Sequence, residues 1–399
     1  MPLPRVPHLR LPAGALLAVA CLAGPVCAPA DASPADTSSA HTASTGADRD
    51  HTLHKQLDQL VHAPDGPPGV IAVLQRGDES RIVRAGVADL DSGRPVEPTD
   101  HMRIASTAKA FSGAVALRLV DRGALGLDDT IGRRLPELPK AWHAVSLRQL
   151  LQHTSGLPDY SRSPEFGRII TADPHHRFDS RRLLDFVAGE PLLFRPGSRY
   201  QYSNSDNIAV ALMAEAVTGR RYEQLLRRIV DRPLGLHRTS LPQGFEMPEP
   251  YMHGYDVQPS AAPEDVSELI GASGVWASGG IVSTPKDMTR FIRGYASGAL
   301  ISPSTLHEQR RWIDGASEPA GPGKNKVGAA IFRYATRCGV VLGHTGNTPG
   351  YTQLIAATPD GSRSLTFSLT TQVNQASKPQ LLKKLREVEE NFVCALLRD

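Results

Sequence analysis

The hydrophobic pattern along this chain changes character three times. Residues 69–75 (GVIAVLQ) and 81–87 (RIVRAGV) are short, β-branched-rich runs separated by Gly77-Asp78, which predicts two strands and a turn. Residues 106–122 are apolar on nearly every helical face and stop at Gly123, so a helix buried at the centre of the molecule is expected. Between about 125 and 270 the chain reads as helix and loop, with helical candidates at 145–152, 179–188, 204–218 and 222–230. Gly219 and Pro233 are the expected stops for the last two. A short strand is expected at 280–283, and Thr284-Pro285 is a cap and first-turn pair for a helix reaching Tyr295.

The last third returns to strands at 327–334, 339–342, 351–357 and 364–369, joined by short turns such as Asp360-Gly361, and an amphipathic helix spans 378–397. Short turns between consecutive strands imply antiparallel pairing. The expected fold is therefore α/β in the α+β sense. An antiparallel sheet flanked by helices is built from both chain ends and carries a mostly helical insertion at about 125–270.

The N-terminus follows another pattern. Arg5 and Arg10 precede a short apolar run, and small residues with Ala30-Asp31-Ala32 come behind it, the order of a secretory signal. Residues 1–32 are read as that signal, and lipidation at Cys21 is the alternative. Residues 33–52 are Ser, Thr, Ala, Asp and His with little else, so a disordered linker is expected and the catalytic domain is placed at 53–399. The apolar run is too short for a stable membrane span. Once the signal is removed only Cys338 and Cys394 remain, and an even pair in an exported chain reads as a disulfide, with two separate buried thiols as the alternative.

Composition adds exclusions. The 399 residues are 40% hydrophobic and 21% charged, and 44 basic against 41 acidic residues give a net charge of +3. Near-balance without a basic block gives no support for a nucleic-acid partner. No HExxH or CxxC motif is present, so neither a metal nor another cofactor is expected.

Three short motifs could carry chemistry. In Ser106-Thr107-Ala108-Lys109 the serine and lysine share a helix face, so the amine could accept the hydroxyl proton if apolar surroundings lower its pKa. Alone, the motif reads first as a cap serine followed by a lysine lying along the surface. Tyr202-Ser203-Asn204 offers a phenol and an amide just before a helix, or else an ordinary N-cap with a packed tyrosine. His344-Thr345-Gly346 lies between two predicted strands, where a small residue would let a substrate backbone approach a strand edge; a plain β-turn is the alternative.

In this order the three motifs resemble the penicillin-recognising serine hydrolases, whose related set is S-x-x-K, S-D-N and K-T-G. The Tyr-Ser-Asn and His-Thr-Gly forms are similar to the class C β-lactamase branch, and within it to the secreted, actinomycete-type D-alanyl-D-alanine carboxypeptidases. Residues 119–129, 147–157, 280–291 and 338–344 carry the likeness further, over about 55–397. No G-x-S-x-G elbow is present, which counts against an α/β-hydrolase lipase.

The resemblance implies roles. Ser106 would be the acylated nucleophile, with Lys109 and Tyr202 sharing proton transfer. Asn204 would bond the substrate amide. His344, Thr345 and Gly346 would line the strand side and hold a substrate carboxylate, and the N–H groups of Ser106 and Asn347 would form the oxyanion hole. Asn347 stands where Thr is usual, which keeps the backbone donor and changes the side chain. Arg333 is the candidate for the basic group on a late strand, unless Phe332 occupies that place. Trp276 is either a pocket wall or core, and His153-Thr154-Ser155-Gly156 is a structural turn beside the site. The late cysteine pair also resembles a disulfide of the family. The implied activity is D-alanyl-D-alanine carboxypeptidase on peptidoglycan stem peptide or another D-amino-acid peptide, with β-lactams acylating the same serine and the enzyme a secreted monomer. A class C-like β-lactamase, a D-amino-acid peptidase, a carboxylesterase and a non-catalytic sensor are the alternatives.

Overall fold

In the computed structural model, which describes residues 46–398, eight strands form one antiparallel sheet. A helix comes first: α1, Gly46–Val61. Its Leu53, Leu57 and Leu60 recur on one face and are buried, which corrects the expected linker at 33–52 and the boundary at residue 53. The expected signal at 1–32, Cys21 and the rest of that linker lie outside the described residues. Next come strands β1, Gly69–Arg76, and β2, Glu79–Gly86. The chain then leaves the sheet and returns with β3, Ile313–Asp314, β4, Lys324–Val327, β5, Phe332–Thr336, β6, Gly339–Thr348, β7, Tyr351–Ala357, and β8, Arg363–Leu369. The order across the sheet is β2-β1-β8-β7-β6-β5-β4-β3, so both chain ends build it as expected.

Two layers cover the sheet. On one face α1 and the last helix, Pro379–Leu397, bury Leu57, Leu60, Leu385 and Phe392 against Val70, Leu354 and Phe367. On the other lie α2, Ala108–Asp121, and the helix Pro285–Ser297, with Phe111 and Phe291 stacked 3.6 Å apart. Between them the insertion supplies α3, Leu147–Leu151, whose capping box uses Ser146 and Gln149, then α4, Pro164–Ala172, and α5, Asn204–Thr218. The remaining long helices are named α6, Pro285–Ser297, and α7, Pro379–Leu397. Among the described residues no helix is long and apolar enough to cross a membrane.

Several expected elements differ in detail. Residues 179–188 form a 3₁₀ segment, Ser180–Val187, capped by Asp179. Pro233 does not stop the helix at 222–230: the chain continues through a π-turn to Leu234, where Pro233 sits in a first turn that needs no N–H from it, and Gly235 (φ 65°) ends it. The run 327–334 is two strands, β4 and β5, because the chain turns at Gly328 to Ile331 through Ala330 (φ 55°). The run 339–342 extends to Thr348, which places His344-Thr345-Gly346 inside β6 instead of between strands. The helices Gly46–Val61, Pro164–Ala172 and Pro303–Gln309 had no counterpart in the pattern. Cys338 and Cys394 are bonded and tie the β5–β6 turn to α7.

Candidate active site

The apolar run after Ser106 decides the environment of the site. Ala108, Ala110, Phe111 and Ala114 are buried, so α2 runs through the core and Lys109, on the same helix, is only 1% exposed. One 3₁₀ turn, Ala105–Thr107, precedes α2, entered through Ala105 at φ 49°. A left-handed alanine is an uncommon, costly conformation, and here it sets the position of Ser106, which stays half-buried at the cleft.

The Lys109 amine sits 3.0 Å from Ser106 Oγ, and donates to Asn204 Oδ1 at 2.8 Å and the Ser278 carbonyl at 2.8 Å. Three acceptors match the three donors of an ammonium. Burial nevertheless lowers its pKa from 10.5 to about 7, opposed by the negative charges of Asp159, Glu318 and Asp206. The Tyr202 ring lies 5.0 Å from that amine, and its hydroxyl is buried beside Ser106 without a hydrogen bond of good geometry. Burial pushes this phenol well above its ordinary range, with Ser106 opposing. Of the two candidate bases, the lysine is therefore the one poised near neutrality.

Asn204 lies where α5 begins, and its amide is fully engaged. Its Nδ2 donates to Asp159 Oδ2 at 3.1 Å and to Ser161 Oγ at 3.0 Å, while Asp159 also accepts the Asn204 N–H at 3.0 Å. Asp159, Ser161 and the Ser278 carbonyl are site groups that the motifs missed. Asp159 had a signal, since it lies two residues beyond the recognised segment 147–157, whereas a backbone carbonyl carries none. Behind Tyr202, its ring 4.5 Å from that of His153, His153 Nδ1 and Asp206 Oδ2 are 2.7 Å apart, and Ser155 Oγ donates to Asp206 Oδ1 at 2.5 Å. Burial and Lys109 hold His153 neutral, with a pKa of about 3. This agrees with a supporting turn.

The strand side differs from expectation. Pairing of β6 with β5 stops at Gly343 while pairing with β7 continues to Thr348, so among the described residues the β5-facing edge of 344–348 lacks a strand partner. His344 is fully buried, neutral with a pKa of about 3, and its ring meets Phe332 edge-on at 4.9 Å. Thr345 is 2% exposed and donates to the Pro319 carbonyl at 2.6 Å. Neither side chain lines the cleft. Gly346 is required for a different reason from the one expected: a Cβ there would meet the Ile104 carbonyl at 2.5 Å, so its smallness admits the Ser106 turn and not the substrate. Asn347 does line the cleft, but its Nδ2 donates to Thr352 Oγ1 at 3.0 Å and to the Val373 carbonyl at 2.7 Å. Trp276 is core, fully buried and donating to Glu223 at 2.9 Å. Arg333 stands on β5 outside the cleft, and Phe332 beside it is buried against His344.

The cleft itself, about 1140 Å³, runs from Ser106, Tyr202 and Asn204 past Glu318 to α7. The profile of the family described as Beta-lactamase matches residues 57–389. The chain belongs to the beta-lactamase family. Penicillin-binding protein 4* of Bacillus subtilis (strain 168) is 24% identical over 336 residues, covering 80% of this chain and 72% of that protein. Esterase EstB of Burkholderia gladioli is 30% identical over 292 residues, covering 64% and 73%. A D-stereospecific amidohydrolase from Streptomyces sp. superposes with a TM-score of 0.72 at 26% identity, covering 84% of this chain and 98% of that one. As a member of this family of serine hydrolases and penicillin-binding proteins, the protein is an enzyme of the hydrolase class.

Proposed function

We propose that the protein hydrolyses amide bonds of D-amino-acid substrates through an acyl-enzyme on Ser106. The observation that carries this reading is the buried Lys109 amine, 3.0 Å from Ser106 Oγ with its pKa lowered to about 7. Neutral Lys109 takes the hydroxyl proton as Ser106 Oγ bonds to the substrate carbonyl carbon. The backbone N–H groups of Ser106, in a first turn without an intrahelical acceptor, and of Asn347 receive the developing oxyanion. As the C–N bond breaks, the Tyr202 phenol protonates the leaving nitrogen and regains its proton from Lys109. Water, deprotonated by Lys109, then attacks the ester carbonyl carbon, and as the acyl C–O bond breaks Lys109 returns that proton to Ser106 Oγ. The D-configuration is supported by the penicillin-binding and D-stereospecific relatives.

A D-alanyl-D-alanine carboxypeptidase is the second reading, favoured by the open β6 edge at 344–348, along which an extended peptide can lie. In either form the enzyme would act outside the cell, as the N-terminal pattern suggests. Intact-mass measurement after incubation with benzylpenicillin tests the acyl-enzyme. A mass increase of one penicilloyl group, absent in Ser106→Ala, is expected, and D-amino-acid amides should be turned over by the native chain alone. No label and no turnover would refute the reading.

A further inference from the structure

The loop between β3 and β4 is anchored at several points. Tyr200 donates to the Ala316 carbonyl at 2.5 Å, and the Ser317 and Tyr334 hydroxyls are 3.0 Å apart. Thr345 donates to the Pro319 carbonyl, and Arg386 of α7 to the Gly321 and Gly323 carbonyls. The loop on both sides of Glu318 is thus held, yet among the described residues its own carboxylate has no hydrogen bond or ion pair. It is exposed into the cleft that also holds Ser106. A rigid loop that leaves one charged group unused is how a binding group is presented to a ligand.

The surrounding charges decide which ligand. Glu318 lines the same cleft as Ser106, and its charge acts on Lys109, Tyr200 and Tyr202 around the nucleophile. Burial, and the charge of Asp159, push the Glu318 carboxyl above its ordinary value, while Arg162, with which it forms no ion pair among the described residues, and Lys109 favour its ionised form. On the strand side no cation faces it: His344 is buried and neutral, Phe332 is apolar, and Arg333 lies outside the cleft. Of the basic groups of α7, Arg386 is committed to loop carbonyls, and Lys383 is one turn from Glu387, where the charges offset each other. Asp159 and Glu318 together outweigh Arg162 and the partly protonated Lys109, so the charge balance near Ser106 is negative. A substrate carboxylate there would be repelled, whereas an ammonium would give Glu318 the partner it lacks.

We infer that Glu318 holds the free ammonium group of the substrate, so that the enzyme cleaves amides of D-amino acids with an unblocked amine in preference to bonds beside a free carboxylate. This rests on the reading of Ser106 as the acylated residue of a D-amide hydrolase. The experiment measures kcat/KM for D-phenylalanine amide, its N-acetyl derivative and N-acyl-D-alanyl-D-alanine, with each preparation normalised to the fraction of Ser106 that penicillin acylates. The native enzyme should prefer the free amine over the acetylated amide by tenfold or more, carried by KM. That ratio should collapse by roughly tenfold in Glu318→Gln, the size expected for one charge-assisted contact. It should turn in favour of N-acyl-D-alanyl-D-alanine in Glu318→Lys. Equal rates on free and acetylated amides in the native enzyme, or an unchanged ratio in Glu318→Gln, overturn the inference alone. Failure to cleave any of the three by a fully acylatable preparation overturns the amide-hydrolase reading and the inference with it.

Discussion

Acylation of Ser106 should follow the titration of Lys109. In the structure burial takes this amine from 10.5 to about 7, so at pH 7 about half of the molecules carry a neutral base. An ordinary lysine would be neutral in roughly one molecule in several thousand at that pH, so burial increases the available base by about a thousandfold. The sign follows from the role. Protonated Lys109 cannot accept the Ser106 proton, so the rate falls as pH drops below the pKa and levels off above it. Stopped-flow acylation by a chromogenic cephalosporin between pH 5 and 9 should rise with unit slope, bend near 7 and stand about 100-fold lower at pH 5 than on the plateau. Asp159 is the largest charge that favours protonated Lys109, so Asp159→Asn should move the bend to lower pH. A rate that is flat from pH 5 to 7 would refute the role of Lys109. A rate still climbing past pH 9 would assign the proton transfer to the phenol of Tyr202, whose pKa lies well above its ordinary value.

Two further outcomes rest on packing. Gly346→Ala puts a methyl 2.5 Å from the Ile104 carbonyl and 3.2 Å from Ala105 Cβ. It should cost about 1–3 kcal/mol in urea unfolding and lower acylation by about 100-fold through displacement of the Ser106 turn; native-like kinetics would refute that account. The Cys338–Cys394 bond closes a segment with a sequence separation of 56, so Cys338→Ser should lower the unfolding free energy by about 4 kcal/mol. Coincident urea curves for the oxidised and reduced native chain would show that the bond is energetically idle.

Local pattern determined much of this protein. Alternation and β-branching located β1, β2, β7 and β8, because a strand with one or two buried faces writes its period into the chain. The all-round apolar run after Ser106 marked α2 as buried and made a desolvated Lys109 plausible, which the structure then shows. Motif order brought Ser106, Lys109, Tyr202 and Asn204 into one reading, and the structure brings them into one place. What the sequence could not decide were the contacts made across the fold. Whether His344 and Thr345 face substrate or core depends on what packs against them, which is Phe332 for one and the Pro319 loop for the other. Whether Asn204 is free depends on Asp159, brought to it by the turn before α4. Glu318 belongs to no motif, and its importance arises because the loop is anchored on both sides of it while its own carboxylate has no partner among the described residues. Short-range periodicity is set by the backbone and survives in one dimension. The charge balance of a cleft is a sum over residues far apart in sequence, and only the tertiary structure performs that sum.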